Sequence, residues 1–203
     1  INLAHELMRA LVREPNLYLM DEPLSSLDAK LRESLRVELK NIQTNLNSTI
    51  LYVTHDQAEA TTLADKIGVL KEGHLVQIGT PEEIYENPNS IYVSQRLGSP
   101  KINILPGKLF GMDDVPTFGI RPENITIGTG NYSAKIISIE NLGSETVVAL
   151  NFKDQEILVS IQGNYKSSIN ETINFDMNNE KVLKFDQEGN IEQASTVVTA
   201  ISI

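Results

Sequence analysis

Two adjacent acids, Asp21 and Glu22, close the apolar run Leu17–Met20 in the stretch LYLMDEP, and His55 follows a second such run in ILYVTHD. Carboxylates and an imidazole delivered to one small volume suit phosphoryl chemistry. One acid can hold Mg²⁺, directly or through water. The second can orient and polarise an attacking water, and the imidazole can hydrogen-bond the terminal phosphate or that water. A positioned general base contributes about 10²–10⁴-fold in rate. Taken singly, these residues have plainer readings: the acid pair is a solvated strand end, and His55 an exposed residue at a helix start.

The elements around them must bring the three side chains together. Ala4, Leu7, Met8, Leu11 and Val12 recur at helical spacing, and Pro15 ends that helix. Leu17–Met20 reads as a short, fully buried strand. Ser25 and Asp28 have the spacing of a capping box. The helix that follows places Leu31, Leu35, Leu39, Ile42 and Leu46 on one face, and Lys30, Arg32, Glu33, Arg36 and Lys40 mostly on a solvated opposite face. STILYVTHD is the next strand, ending near Thr54. A helix over about Gln57–Ala64 and a strand in KIGVL come next. KEGHLVQIG reads as a hairpin turning at Glu72-Gly73, and TPEEIYEN as a short helix with Thr80 as N-cap and Pro81 at its first position. Strands alternating with helices predict a parallel sheet, whose strand tips form one ligand-binding edge.

The pattern changes near Gly98-Ser99-Pro100. Beyond it, FGIRPENITI, YSAKIISIENLG, ETVVALNF, QEILVSIQG, TINFDM and KVLKFDQEGN read as short strands separated by Gly, Asn and Asp turns. The fold class expected is therefore an α/β parallel-sheet part over residues 1–98, followed by an all-β, OB-like barrel over residues 101–203.

Composition narrows the function. The chain has 203 residues, 40% of them hydrophobic, enough to build a core without disulfides, and it has no cysteine for a thiolate metal site. With 17 basic and 27 acidic residues the net charge is −10, which disfavours nucleic acid as a partner. Phosphate can still be held locally, through backbone N–H groups or Mg²⁺. No signal peptide is visible, and no apolar run reaches the roughly 20 residues of a membrane span. Ile1 enters what reads as mid-helix, so the chain is expected to be a fragment.

Three motifs at this spacing carry a family resemblance. LYLMDEP resembles the Walker B strand of ATP-binding-cassette (ABC) ATPases, SSLD their D-loop, and LYVTHDQAEA their switch-histidine segment. The likeness runs from Ala10 to about Pro100, through DKIGVLKEGHLVQIGTPEEIYENP, and is greatest to the maltose-importer group of sugar importers. GSPKINILPG, FGIRPENI and IENLGSETVV resemble that group's junction and its regulatory OB-type (TOBE) domain. The resemblance implies that Asp21 acts on Mg²⁺, that Glu22 is the general base and that His55 senses the γ-phosphate. It also implies that Asp28, with Ser26, crosses the interface of an ATPase dimer. It further implies ATP and Mg²⁺ as cofactors, a second copy and membrane permease subunits as partners, and a peripheral site on the cytoplasmic face of the membrane.

The chain departs from the family where nucleotide would be held. It has no G-x-x-x-x-G-K-[ST], no LSGGQ-like signature and no recognisable Q-loop. Leu3–Glu6 fit the family pattern badly, and few residues separate LPGKLF from FGIRPENI. These 203 residues are therefore expected not to hydrolyse ATP alone. Two rival readings stay open: a non-catalytic regulatory or dimerisation module, and the ATPase of a polyamine, sulfate, molybdate or iron importer. A third, an OB-type nucleic-acid binder, is disfavoured by the charge. His5 and His74 read as surface residues, and Tyr18 and Tyr52 as strand packing. Arg121 reads as a structural hydrogen-bonding residue or an anion ligand.

Overall fold

The computed structural model describes residues 16–46 and 49–192, so the expected helix over Ala4–Val12 lies outside the described residues. The chain is mostly β with a few helices, and it forms two compact units, Ile1–Ile84 and Tyr85–Ile203.

In the first unit, β1 (Leu17–Asp21) and β2 (Thr49–Val53) pair in parallel, with Leu19 opposite Leu51 and Asp21 opposite Val53. The crossover between them is α1 (Ala29–Leu46). Beneath the pair, Leu24, Leu39 and Leu63 form a small core with Leu27, Leu35 and Tyr52 against it. β1 is not fully buried as expected. Tyr18 and Met20 face inward, but Leu17 and Leu19 are exposed, Leu19 to 71%. The reason is geometric: successive side chains of a strand point to opposite faces, and the described elements cover one face of this two-stranded sheet. Leu31 likewise lies exposed rather than on the packed face of α1.

After α2 (Gln57–Leu63) come β3 (Ile67–Lys71) and β4 (His74–Gly79). β3 was expected to extend the parallel sheet. Among the described residues it pairs instead antiparallel with β4, through the anticipated turn, where Glu72 and Gly73 both have positive φ (51° and 80°). Apolar periodicity marks a strand but not its neighbour, whereas a two-residue turn of this type fixes one. The helix α3 (Pro81–Glu86) begins with a reciprocal cap: Glu83 N donates to Thr80 Oγ1 (3.1 Å) and Thr80 N donates to Glu83 Oε2 (2.8 Å).

The second unit begins at Tyr85, upstream of the Gly98–Lys101 junction read from composition. It holds α4 (Ile91–Ser94), β5 (Asn103–Pro106), β6 (Thr117–Ile120), β7 (Ile125–Asn141), β8 (Glu145–Phe152), β9 (Gln155–Gln162), β10 (Thr172–Met177) and β11 (Leu183–Phe185). Two antiparallel sheets, β10-β7-β8-β9 and β11-β6-β5, enclose one core. Its centre is aromatic: Phe110 packs edge-on against Phe118 (5.3 Å), and Phe152 against Phe175 (5.4 Å). The buried side chain of Asn103 joins the sheets. It donates to Leu158 O (2.8 Å) and accepts from Leu158 N (2.7 Å), so one amide acts as a strand partner for β9. β7 is a single bent strand. Register with β10 jumps between Asn174 and Phe175, and Gly130, at φ 126°, passes so close that a Cβ there would lie 2.3 Å from Phe175 O.

Arg121 draws residues 85–97 into this unit. It is 4% exposed, and it donates from Nη1 to Ser94 O (3.1 Å) and Leu97 O (2.6 Å) and from Nη2 to Tyr85 O (2.8 Å). Its guanidinium stacks over the Tyr85 ring at 3.8 Å. Burial pulls its pKa down, yet every contact is to a carbonyl or a ring face that favours the cation. The structural reading of this residue therefore describes it better than the anion-ligand reading.

Candidate functional site

Asp21 ends β1, and the ladder continues one residue further, because Glu22 N donates to Val53 O (2.8 Å). There the chain turns. Glu22 has φ 44°, a left-handed conformation uncommon outside glycine. Ser25 holds the turn, donating from both N (3.2 Å) and Oγ (2.8 Å) to Glu22 O, over the buried Pro23 and Leu24. The Glu22 carboxylate reaches the tip of the neighbouring strand, where its Oε1 lies 2.9 Å from His55 Nδ1. Both side chains remain open to solvent, at 44% and 74% exposure. The hydrogen bond to Glu22 and its charge together outweigh the lost hydration of the ring, and they raise the His55 pKa above 6.5.

Asp28 is itself the helix cap: Leu31 N donates to its Oδ1 at 3.0 Å. The expected box led by Ser25 does not form, because that hydroxyl is committed to Glu22 O. Ser26 is exposed on the loop between. The structure brings Glu22 and His55 into contact, sets Asp21 beside them at the strand end and leaves Ser26 and Asp28 on the following loop.

Three residues of this unit make contacts that the sequence reading did not give them. Arg32 was placed on a solvated helix face. It instead donates from Nη2 to Leu27 O (3.0 Å) and from Nη1 to Asp56 Oδ2 (3.4 Å), fastening the loop after Glu22 to the residue after His55. A cation near a helix start opposes the helix dipole, and that misfit was the available signal. Lys40 also leaves the solvated face, reaching Leu63 O at 3.0 Å. Tyr52 is more than strand packing: its hydroxyl donates to Glu59 Oε2 at 2.8 Å, and burial first, then this bond, pushes its pKa far up. Asp56 caps α2 by accepting from Ala58 N (2.8 Å) and Glu59 N (3.2 Å). Burial pushes the Asp56 carboxyl up, but these N–H donors and Arg32 outweigh it and hold its pKa below the usual range.

Among the described residues, no group of three or more His, Cys, Asp or Glu side chains could hold a metal ion. Asp21 offers one exposed carboxylate at the strand tip. Mg²⁺ commonly takes one or two carboxylates and completes its shell with substrate phosphates and water. The donor set therefore fits an ion that arrives with a nucleotide.

Residues 118–185 match the TOBE domain family. Over 184 residues the chain is 42% identical to the sn-glycerol-3-phosphate import ATP-binding protein of Rhizobium meliloti (strain 1021), covering 81% of this chain and 53% of that protein. It is 37% identical to the protein of the same name in Psychromonas ingrahamii, covering 89% of this chain and 56% of that one. It is 41% identical to the xylose/arabinose import ATP-binding protein of Haloferax volcanii, covering 72% and 45%. The chain thus spans about half the length of the curated relatives it matches.

Proposed function

Because this chain is homologous to the C-terminal half of the ATP-binding subunits of ABC importers, we propose that it belongs to a transport ATPase that energises uptake of a sugar or a related solute. In this reading residues 1–98 are the later part of a P-loop-type α/β ATPase domain, and residues 101–203 are a regulatory OB-type β domain. The subunit works as a pair of copies on the cytoplasmic face of the membrane, bound to permease subunits. Among the described residues no helix is long and apolar enough to cross a membrane.

The observation that carries the reading is the contact of Glu22 with His55 at adjacent parallel strand tips. Glu22 takes a proton from the water that attacks the terminal phosphate. His55, already hydrogen-bonded through Nδ1, has Nε2 left to donate to that phosphate, and the raised pKa keeps its donor form populated. Mg²⁺, bound with ATP beside Asp21, would supply charge neutralisation at the phosphates. In this reading Asp28 and Ser26, on the loop pinned by Arg32, contact the nucleotide held by a second copy.

The test is ATP turnover by the native-length subunit and its His55→Ala variant. We expect loss of about 10²-fold in kcat, with ATP still bound. Turnover unchanged by that substitution would refute the role of His55.

A further inference from the structure

We propose that Glu59 is a positioning residue for His55: a buried carboxylate that holds the turn from β2 to α2 in the shape that presents the imidazole to Glu22. The inference rests on the hydrolytic reading of the Glu22–His55 pair and deepens it.

Glu59 occupies the third position of α2, where an acid usually reaches back to the amide of the capping residue or stays in water beside the helix N-terminus. It does neither. It is 2% exposed, and its Oε2 accepts from Tyr52 Oη and Thr54 Oγ1, each at 2.8 Å. The back-reaching bond has been given to another group: Asp56 N donates to Thr54 Oγ1 at 3.0 Å. Thr54 and Asp56, the residues on either side of His55, are thereby fixed to each other and to one carboxylate oxygen. Among the described residues no cation pairs with Glu59. Burying such a charge is costly, and an apolar side chain would serve packing better. What the carboxylate adds is two converging acceptor bonds next to the histidine, together with a negative charge that favours the imidazolium. The charged groups around His55 are then Glu22, Asp56 and Glu59, with Arg32 offsetting Asp56.

The test has two arms. In the native-length subunit, Glu59→Ala should lower kcat about tenfold or more, because small displacements of a catalytic group are amplified in rate. KM for ATP should stay within about twofold, since the loss falls on the hydrolytic step. Glu59→Gln keeps an oxygen that can accept from both hydroxyls and should recover most of kcat. In the 203-residue chain, an NMR titration of His55, with His5 and His74 as internal references, should show a lower pKa in both variants and the larger fall in Glu59→Ala. A folded Glu59→Ala protein with wild-type kcat, or with an unmoved His55 titration, overturns the proposal. If Glu59→Ala does not fold, Thr54→Val removes one of the two bonds to Glu59 together with the bond from Asp56 N, and is read the same way: a lower His55 pKa and a lower kcat support the proposal, and no change overturns it. A wild-type subunit without turnover would refute the hydrolytic reading, and the titration alone would then decide the role of Glu59.

Discussion

Replacing Arg121 with methionine keeps a long apolar stem and removes the guanidinium that ties three carbonyls together. The three donated bonds are charge-assisted; those to Ser94 O and Leu97 O are buried and that to Tyr85 O is partly buried. Such bonds contribute about 1.5–3 kcal/mol each. Relief from burying the cation offsets part of that sum, so the net loss should resemble that of a broken buried network, about 3–5 kcal/mol. In a unit of this size that lowers the melting temperature by roughly 10–20 °C. Arg121→Lys should lose less than Arg121→Met because it keeps a donating cation, but it should not reach wild type, because one ammonium cannot fork across three carbonyls or stack flat on Tyr85. Thermal unfolding of the 203-residue chain, followed by far-ultraviolet circular dichroism, measures both. The β unit should melt earlier in Arg121→Met, and protease cleavage should appear within residues 85–97. If Arg121→Met melts within about 2 °C of wild type, the fork does not hold this segment and the account of the second unit is wrong.

Glu22→Gln should lower the His55 pKa in an NMR titration, because the hydrogen bond to Glu22 and its charge are the main causes raising it. A raised folded-state pKa stabilises fully below the free-histidine value near 6.5 and is lost as pH rises through the folded pKa, so any stabilising effect of the pair should fade on the alkaline side. Phe175→Ala removes a fully buried ring that packs on Phe152 and Tyr132, and it should cost about 3–5 kcal/mol in urea unfolding. Gly130→Ala combines a φ of 126° with a Cβ 2.3 Å from Phe175 O, and should destabilise by more than the ~1 kcal/mol by which Gly→Ala stabilises at a compatible position.

Much of this was legible in the sequence because the signals were local. The turn at Glu72-Gly73, the cap at Thr80, and the strands ETVVALNF, QEILVSIQG and TINFDM are each specified within a few residues, and each forms. Asp21, Glu22 and His55 were legible as a candidate cluster because the acids directly end one apolar run and His55 follows another by one residue, and Glu22 and His55 do meet. What stayed hidden was long-range. Whether β3 would lie beside β2 or β4 depends on which edges are free. Whether Leu19 is buried depends on what covers the second face of the sheet. Arg32 and Lys40 looked solvated because helical periodicity assigns a face but not a partner across the core, and Arg121 could not reveal that it grips carbonyls 24 to 36 residues away. Glu59 sits in a helix start where an acid is ordinary, and only its burial against Tyr52 and Thr54 sets it apart.

The most direct measurement is ATP hydrolysis by the native-length subunit with Glu22 replaced by glutamine, alongside nucleotide binding by the same protein. With the proposed water-activating carboxylate removed, kcat should fall by about 10²–10⁴-fold while ATP binding persists. A variant that binds ATP and still turns it over at the wild-type rate would contradict the assignment of Glu22 as the base, and with it the account of these strand tips as a hydrolytic site.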